Sequence, residues 1–365
     1  MYNVLMFGTG KSSIIIENVL NCKVKILAYV DNNESKWGTK RNNILIVKPE
    51  QIKNYDYDYI IIASQFNEEI YNQLIDLGVV ENKIFQYYKF MDNYSNEYKY
   101  MIDNFIENNN DDLEAICTGI SYAYTGFSEK KCLKSCYKFS LSSQDIFYDY
   151  HTIKYLFNNF KEKVINVKYA IIGLCYYSFQ YDMSLSAMKN KVVWYYSILK
   201  TAHHYSNADR LSEEYENNRE IAEKTFRING GYFDFVYDVP SFKEYENKVE
   251  IGRKQAELDC NKDYPKTVQE NIQIFKDYLR FLKDNNIKPI VVVFPASKYY
   301  TEYFSKRIED EFYCIINQVK KEYNFQYIDY FRSELFDDDD FSDVSHLNNQ
   351  GAEKFTKMLN EEIEW

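Results

Sequence analysis

The sequence predicts an α/β protein with two parallel sheets in two successive domains. Three observations lead there. The chain has 365 residues, more than one ordinary core accommodates. Short apolar runs bounded by turn residues alternate with amphipathic stretches at helical spacing. A polar stretch at residues 91–111, ending in an Asn/Asp cluster, separates one alternation from the next and reads as a linker.

The first alternation opens with YNVLMF, a short buried strand. The turn GTGKSS, the helical stretch SIIIENVL and the strand VKILAYV follow, ending at Asp31. Strand, Gly-rich turn, helix, strand and acid, in that order, open a Rossmann-type unit. Gly8 and Gly10 permit a tight turn and close backbone approach; Thr9, Lys11 and Ser12 complete the turn. The helix start then presents free N–H groups to a pyrophosphate. Asp31, about 20 residues on, stands where ribose hydroxyls are met. Ser13 replaces the third glycine of GxGxxG, and Leu5 rules out a Walker A loop. A turn that merely needs glycine is the alternative. Further on, YDYIIIAS reads as a buried parallel strand and EEIYNQLIDLGV as an amphipathic helix.

With FGTGKSS, AYVDNN, the Gly38 loop, KPEQI and DYIIIAS, residues 1–90 resemble the N-terminal nucleotide-sugar-binding domain of bacterial sugar O- and N-acyltransferases and related sugar-modifying enzymes. The resemblance implies a uridine- or cytidine-diphosphate sugar, or a similar nucleotide, near Gly8, Gly10 and Asp31. NAD(P) remains an alternative.

The second alternation spans residues 112–365. LEAICTG, CYKFSL, VKYAIIGLCYYSF, KPIVVVFP and FQYIDY read as five strands. Between and after them lie helices: SQDIFYDYHTIKYLFNNF, with Ser143 as its cap, TVQENIQIFKDYLRFLKDNN, TEYFSKRIEDEFYCIINQVKKEYN and NQGAEKFTKMLNEEIE. Such alternation implies a parallel sheet covered on both faces. Functional residues then collect at the carboxyl ends of strands. With a flavodoxin-like strand order, the ends of the first and fifth strands share one rim, and Ser121 in TGISY can meet His346 in DVSHLNNQG.

The chemistry fits that trio. A serine hydroxyl is a poor nucleophile until a neutral imidazole takes its proton, and a carboxylate must fix the imidazole tautomer. Ser121 is the nucleophile, His346 the base and then acid, and Asp343 the orienter. A helix-capping role for Asp343 is the plain alternative.

A GxS turn after the first strand, DxxH near the C-terminus and a trailing LNxxG resemble the SGNH/GDSL hydrolase superfamily over residues 112–365. That implies a flavodoxin-like fold and ester chemistry, as in lipases, carbohydrate acetylesterases and polysaccharide O-acetyltransferases. The glycine and asparagine that complete the superfamily's oxyanion hole are replaced. Ser142, Ser143 and Gln144 follow strand two, and GLCYYSF follows strand three. The oxyanion candidates are therefore the Ser121 N–H with a group from Ser143 or Gln144.

An insertion at about residues 180–265 reads as a mainly helical cap, in which Trp194, Tyr195 and Tyr196 either stack on sugar rings or pack the cap itself. His203 and His204, if helical, point apart, and His151 falls mid-helix, so no metal site is expected. The Asp337–Asp340 run reads as a solvated loop.

The net charge of −11 provides no basic stripe and excludes a phosphate-backbone binder. No signal-peptide pattern and no membrane-length apolar run are present, and seven scattered cysteines suit reduced thiols, Cys132 and Cys136 lacking partners for zinc; a cytoplasmic location is expected. The combined expectation is an α/β chain with a Rossmann-like domain and a flavodoxin-like SGNH hydrolase domain. It would transfer an O-acyl group, acetyl foremost, to a sugar or nucleotide-linked sugar of surface-glycan biosynthesis, or hydrolyse it from one, through an acyl-Ser121 intermediate. The ester chemistry requires no cofactor. A non-catalytic glycan- or partner-binding protein and an NAD(P)-dependent oxidoreductase are the alternatives, and a homo-oligomer is left open.

Overall fold

Tyr2–Phe7 forms β1, and its last four residues are fully buried, as the apolar run predicts. It is followed by β2 (Val24–Val30), β3 (Lys40–Arg41), β4 (Ile44–Val47), β5 (Tyr59–Ile62) and β6 (Ile84–Gln86). The sheet order is β3-β4-β2-β1-β5-β6, parallel except for the β3–β4 pair. Both faces are covered: Val4, Met6, Tyr29 and Ile61 belong to one core, and Leu5, Phe7, Ala28 and Ile60 to the other. Chain order reverses at β1, so a crevice opens beyond the carboxyl ends of β1 and β5.

The computed structural model describes residues 1–90, 96–108, 112–229, 232–233 and 241–365. Its two compact units are Met1–Asn96, Asn190–Ser197 and Tyr205–Asp238, and the remainder of the chain. The insertion is therefore not one cap. Helix Ala208–Thr225 contributes Ile221 and Ala222 to the first unit's core, and its Asn218 Oδ1 accepts the Gln86 N–H at 2.6 Å. Trp194 and Tyr195, in the same unit, are buried rather than offered for stacking. The expected linker is corrected in its middle: Glu97–Glu107 is a helix of the second unit that buries Tyr98, Met101, Ile102 and Phe105. Residues 91–95 and 109–111 of that stretch lie outside the described residues.

In the second unit β7 (Ala115–Gly119), β8 (Cys136–Lys138) and β9 (Tyr169–Leu174) come first. A hairpin of the first unit, β10 (Ile228–Asn229) with β11 (Tyr232–Phe233), intervenes before β12 (Lys288–Val293) and β13 (Gln326–Asp329). The order β13-β12-β9-β7-β8, parallel throughout, is the expected flavodoxin-like one. Helices Ile146–Asn159, Pro265–Asp284, Lys306–Val319 and Asn349–Glu362 connect and flank these strands. Asp145, not Ser143, caps the first of them, accepting the Tyr148 N–H at 3.0 Å. Among the described residues no helix is long and apolar enough to cross a membrane.

Candidate active site

β7 ends at Gly119, whose φ of +135° L side chains rarely adopt. A Cβ there would stand 2.4 Å from the Gly173 carbonyl of β9. Two strands thus meet without side chains, and the chain turns directly into the short helix Ser121–Gly126. Ser121 opens that helix, where a backbone N–H has no intrahelical partner.

The loop after β13 carries the other two residues. It is closed by a bridge between Phe341 and Leu347 and by the Ser342 N–H donating to the His346 carbonyl at 2.9 Å. Asn348 caps the final helix through the Gly351 N–H at 2.9 Å, while its own amide donates to the Asp339 and Phe341 carbonyls. Gly351 lies so close to the Asp340 carbonyl that a Cβ would be 2.1 Å from it. Leu347, Asn348 and Gly351 of the trailing LNxxG therefore each have a structural task.

The aspartate run is solvated only in part: Asp337 and Asp339 are exposed, as expected of a solvated loop, but Asp340 is buried. Asp337 caps a turn at Asp338–Asp340, and buried Asp340 pairs with Lys354 at 2.6 Å. Asp338 and Asp339 pair with Lys248 and Lys243. The run clamps the base of the histidine loop.

Within this frame His346 Nε2 lies 2.8 Å from Ser121 Oγ, and His346 Nδ1 lies 2.9 Å from Asp343 Oδ2. Asp343 Oδ1 also accepts the backbone N–H groups of Ser345 and His346 at 2.8 and 2.9 Å. Burial pushes the Asp343 carboxyl up, but the His346 hydrogen bond and charge and these N–H donors outweigh it. The net shift is downward, which keeps Asp343 ionised at neutral pH. The Tyr122 ring packs 5.0 Å from the His346 ring, and its hydroxyl donates to Tyr300, which donates to Asp259. This tyrosine follows Ser121 directly, yet nothing in the sequence pattern marks it.

The oxyanion candidates fare differently. Both amide hydrogens of buried Gln144 are taken, by the Phe139 carbonyl at 2.8 Å and by Asp149 at 2.5 Å. Its side chain is thereby corrected from donor to scaffold. Ser143 has a left-handed φ of +67°, and its carbonyl accepts the Tyr181 hydroxyl at 3.1 Å. Of the expected oxyanion groups, the Ser121 N–H opens its helix without an intrahelical partner, and no hydrogen bond joins Ser143 to Ser121. Cys175, after β9, is buried and bonded through its N–H to Ser178 Oγ at 2.9 Å.

In the first unit, a cleft of about 720 Å³ lies over the β1–β5 crevice, lined by Gly8, Thr9, Gly10, Ser12, Asp31 and Lys36 among others. Gly8, at φ +110°, sits where a Cβ would be 2.9 Å from the Ala63 carbonyl; Gly10 faces open space. Lys11 is exposed and outside the lining. Asp31 is already engaged: Thr9 Oγ1 donates to it, and Lys36 Nζ pairs with it at 2.9 Å. Burial raises its pKa, but those two donors and the Asn33 N–H lower it further, for a net downward shift. Lys36, a cation beside the Gly-rich turn, escaped the sequence pattern because it lies in a loop without periodicity.

Residues 1–85 match the family model described as C2185-like, N-terminal. No curated protein matches the chain. Among solved structures it is similar to a candidate acylhydrolase from Bacteroides fragilis NCTC 9343, at 8% identity and a TM-score of 0.35 over 73% of this chain and 95% of that one. It is also similar to a GDSL-like lipase from Bacteroides thetaiotaomicron VPI-5482, at 11% identity and a TM-score of 0.35 over 74% of this chain and 98% of that one. At this level the likeness is weak, and the reading of the site rests on its own geometry.

Proposed function

We propose that the second unit is an SGNH-type esterase or O-acyltransferase acting on a sugar or glycan precursor, acetyl being the simplest group it would carry. The unbroken line from Asp343 through His346 to Ser121 carries this reading. Ser121 Oγ attacks the acyl carbonyl while its proton passes to His346 Nε2. The donor's C–O bond then breaks, and His346 returns the proton to the leaving oxygen, leaving acyl-Ser121. A sugar hydroxyl, or water, gives its proton to His346 and attacks; Ser121 leaves and is reprotonated. A cleft of about 650 Å³, lined by Tyr124, Lys138, Ser342 and Leu347 among others, adjoins the histidine loop and would take the acceptor.

The first unit would be a Rossmann-like holder of a nucleotide or nucleotide-sugar, with Gly10 leaving room for phosphates and Lys36 meeting them. A cytoplasmic precursor would then be the substrate. NAD(P) in the same cleft is distinguished by a thermal-shift screen of nucleotides.

A fluorophosphonate probe tests the ester chemistry. Labelling of the wild type, lost in Ser121→Ala together with turnover of an aryl acetate, is expected. Full turnover by Ser121→Ala would sink the mechanism. One observation favours a second reading, a glycan-binding protein without turnover: the Gln144 amide is occupied, so one oxyanion donor is missing. An unlabelled Ser121 with glycan retained would select it.

A further inference from the structure

His203 and His204 were expected on a helix with diverging rings. They occupy a turn instead, and His203 adopts a left-handed φ of +50°. The two imidazoles consequently stack, 4.2 Å between centroids, and His203 lies flat on Phe147 at 4.0 Å. Both rings face the same way. His203 Nδ1 is 3.4 Å from Asp182 Oδ1 and His204 Nδ1 is 2.7 Å from Asp182 Oδ2. On the opposite edge, both Nε2 atoms lie 3.4 Å from Glu270 Oε1. The His203 and Asp182 side chains are only 6% and 2% exposed. His203 Nδ1 is buried and makes no well-formed hydrogen bond, standing 3.4 Å from Asp182 Oδ1. Such an orphan is costly and calls for an explanation.

We propose that Asp182, His203 and His204 bind a divalent transition-metal ion, zinc foremost, through one carboxylate oxygen and both Nδ1 atoms. Two imidazoles and a carboxylate form a donor set that suits zinc. Metal–ligand bonds of about 2.0–2.1 Å in a tetrahedron place neighbouring donors roughly 3.3–3.4 Å apart. The separation of His203 Nδ1 from Asp182 Oδ1 already has that value. Protons on the Nε2 atoms would point to Glu270, which would orient both rings from behind, as carboxylates behind metal-bound histidines do.

The ion would brace the segment that follows β9. Asp182 sits between Tyr181, whose hydroxyl holds the Ser143 carbonyl, and Met183, whose N–H donates to Asp145 at 2.8 Å. The segment after β9 would thus be tied at once to the His203–His204 turn and to the loop after β8. This site stands apart from the acyl-transfer reading and does not depend on it.

The full chain, stripped with a chelator and dialysed against Zn²⁺, is expected to retain about one ion, measured by plasma mass spectrometry. Asp182→Asn and His204→Gln should each weaken retention at least tenfold, and Cys132→Ser should leave it unchanged. Co²⁺ in place of Zn²⁺ should show ligand-field bands without thiolate charge transfer. His203→Ala removes a packed ring and risks misfolding, so His204→Gln, at a side chain 42% exposed, is the decisive variant, its fold checked by circular dichroism. No ion on the wild type, wild-type retention by folded His204→Gln, or loss with Cys132→Ser would each overturn the proposal.

Discussion

The buried carboxylate of Asp149 accepts the backbone N–H of Gly119 at 3.0 Å, two residues before Ser121. Its other visible partner is Gln144 at 2.5 Å. Burial pushes its pKa up to about 8, the Gln144 hydrogen bond opposing and neighbouring Asp145 reinforcing the rise. The turn that leads into Ser121 therefore rests on an acid whose ionisation is disfavoured.

A pH dependence of stability follows. The folded state keeps the Asp149 proton while the unfolded chain releases it near pH 4. The contribution is full below about pH 4, declines as pH rises, and is lost by about pH 8. Asp149→Asn should flatten this slope. Asp145, raised to about 6, is present in both proteins, and only the part of its contribution that is independent of Asp149 cancels in their difference. Urea midpoints between about pH 5 and pH 8 measure it; parallel slopes for variant and wild type would remove Asp149 as the source.

Asp343→Asn keeps the shape of the loop but removes the acceptor that fixes the His346 tautomer. Aryl acetate turnover should fall on the order of 10²- to 10⁴-fold with folding retained. A loss under tenfold would make Asp343 a capping residue only.

Gly351→Ala should act at a distance. Its Cβ would stand 2.1 Å from the Asp340 carbonyl, and either the last helix or the aspartate clamp must shift. The expected cost is about 1–3 kcal/mol in stability, with a fall in kcat as the histidine loop moves. Thermal melts and turnover together check this; an unchanged kcat would show that the clamp does not position His346.

Lys36→Met removes the cation of the first unit's cleft and leaves Asp31 without its ion pair. A bound nucleotide at 100 times its Kd stabilises by about 2.7 kcal/mol. The variant should lose most of that shift for phosphorylated ligands, and equal shifts in variant and wild type would place the phosphates elsewhere.

The site was legible where its signals are local. Ser121 ends a buried strand at a glycine turn, and Asp343 and His346 share one short loop, so strand alternation brought them to the same rim. That Gly8 and Asp31 line one cleft was readable for the same reason. The rest depends on contacts between distant segments or on rare backbone angles. Gln144 looked like a free donor because the Asp149 that captures it lies inside the next helix. His203 and His204 stack only because φ at His203 is positive, which no side-chain pattern announces. Asp340 is buried because Lys354 reaches it from the last helix. The insertion divides between two cores, and its helical periodicity does not say which core each apolar face meets.

The bridge from Phe341 to Leu347 has a mechanical consequence. Asp343 and His346 lie within one closed ring of backbone, whereas Ser121 stands on a separate element. A displacement of that ring as a body leaves the Asp343–His346 pair intact and changes only the distance from His346 to Ser121, much as a spark gap is tuned by moving one electrode.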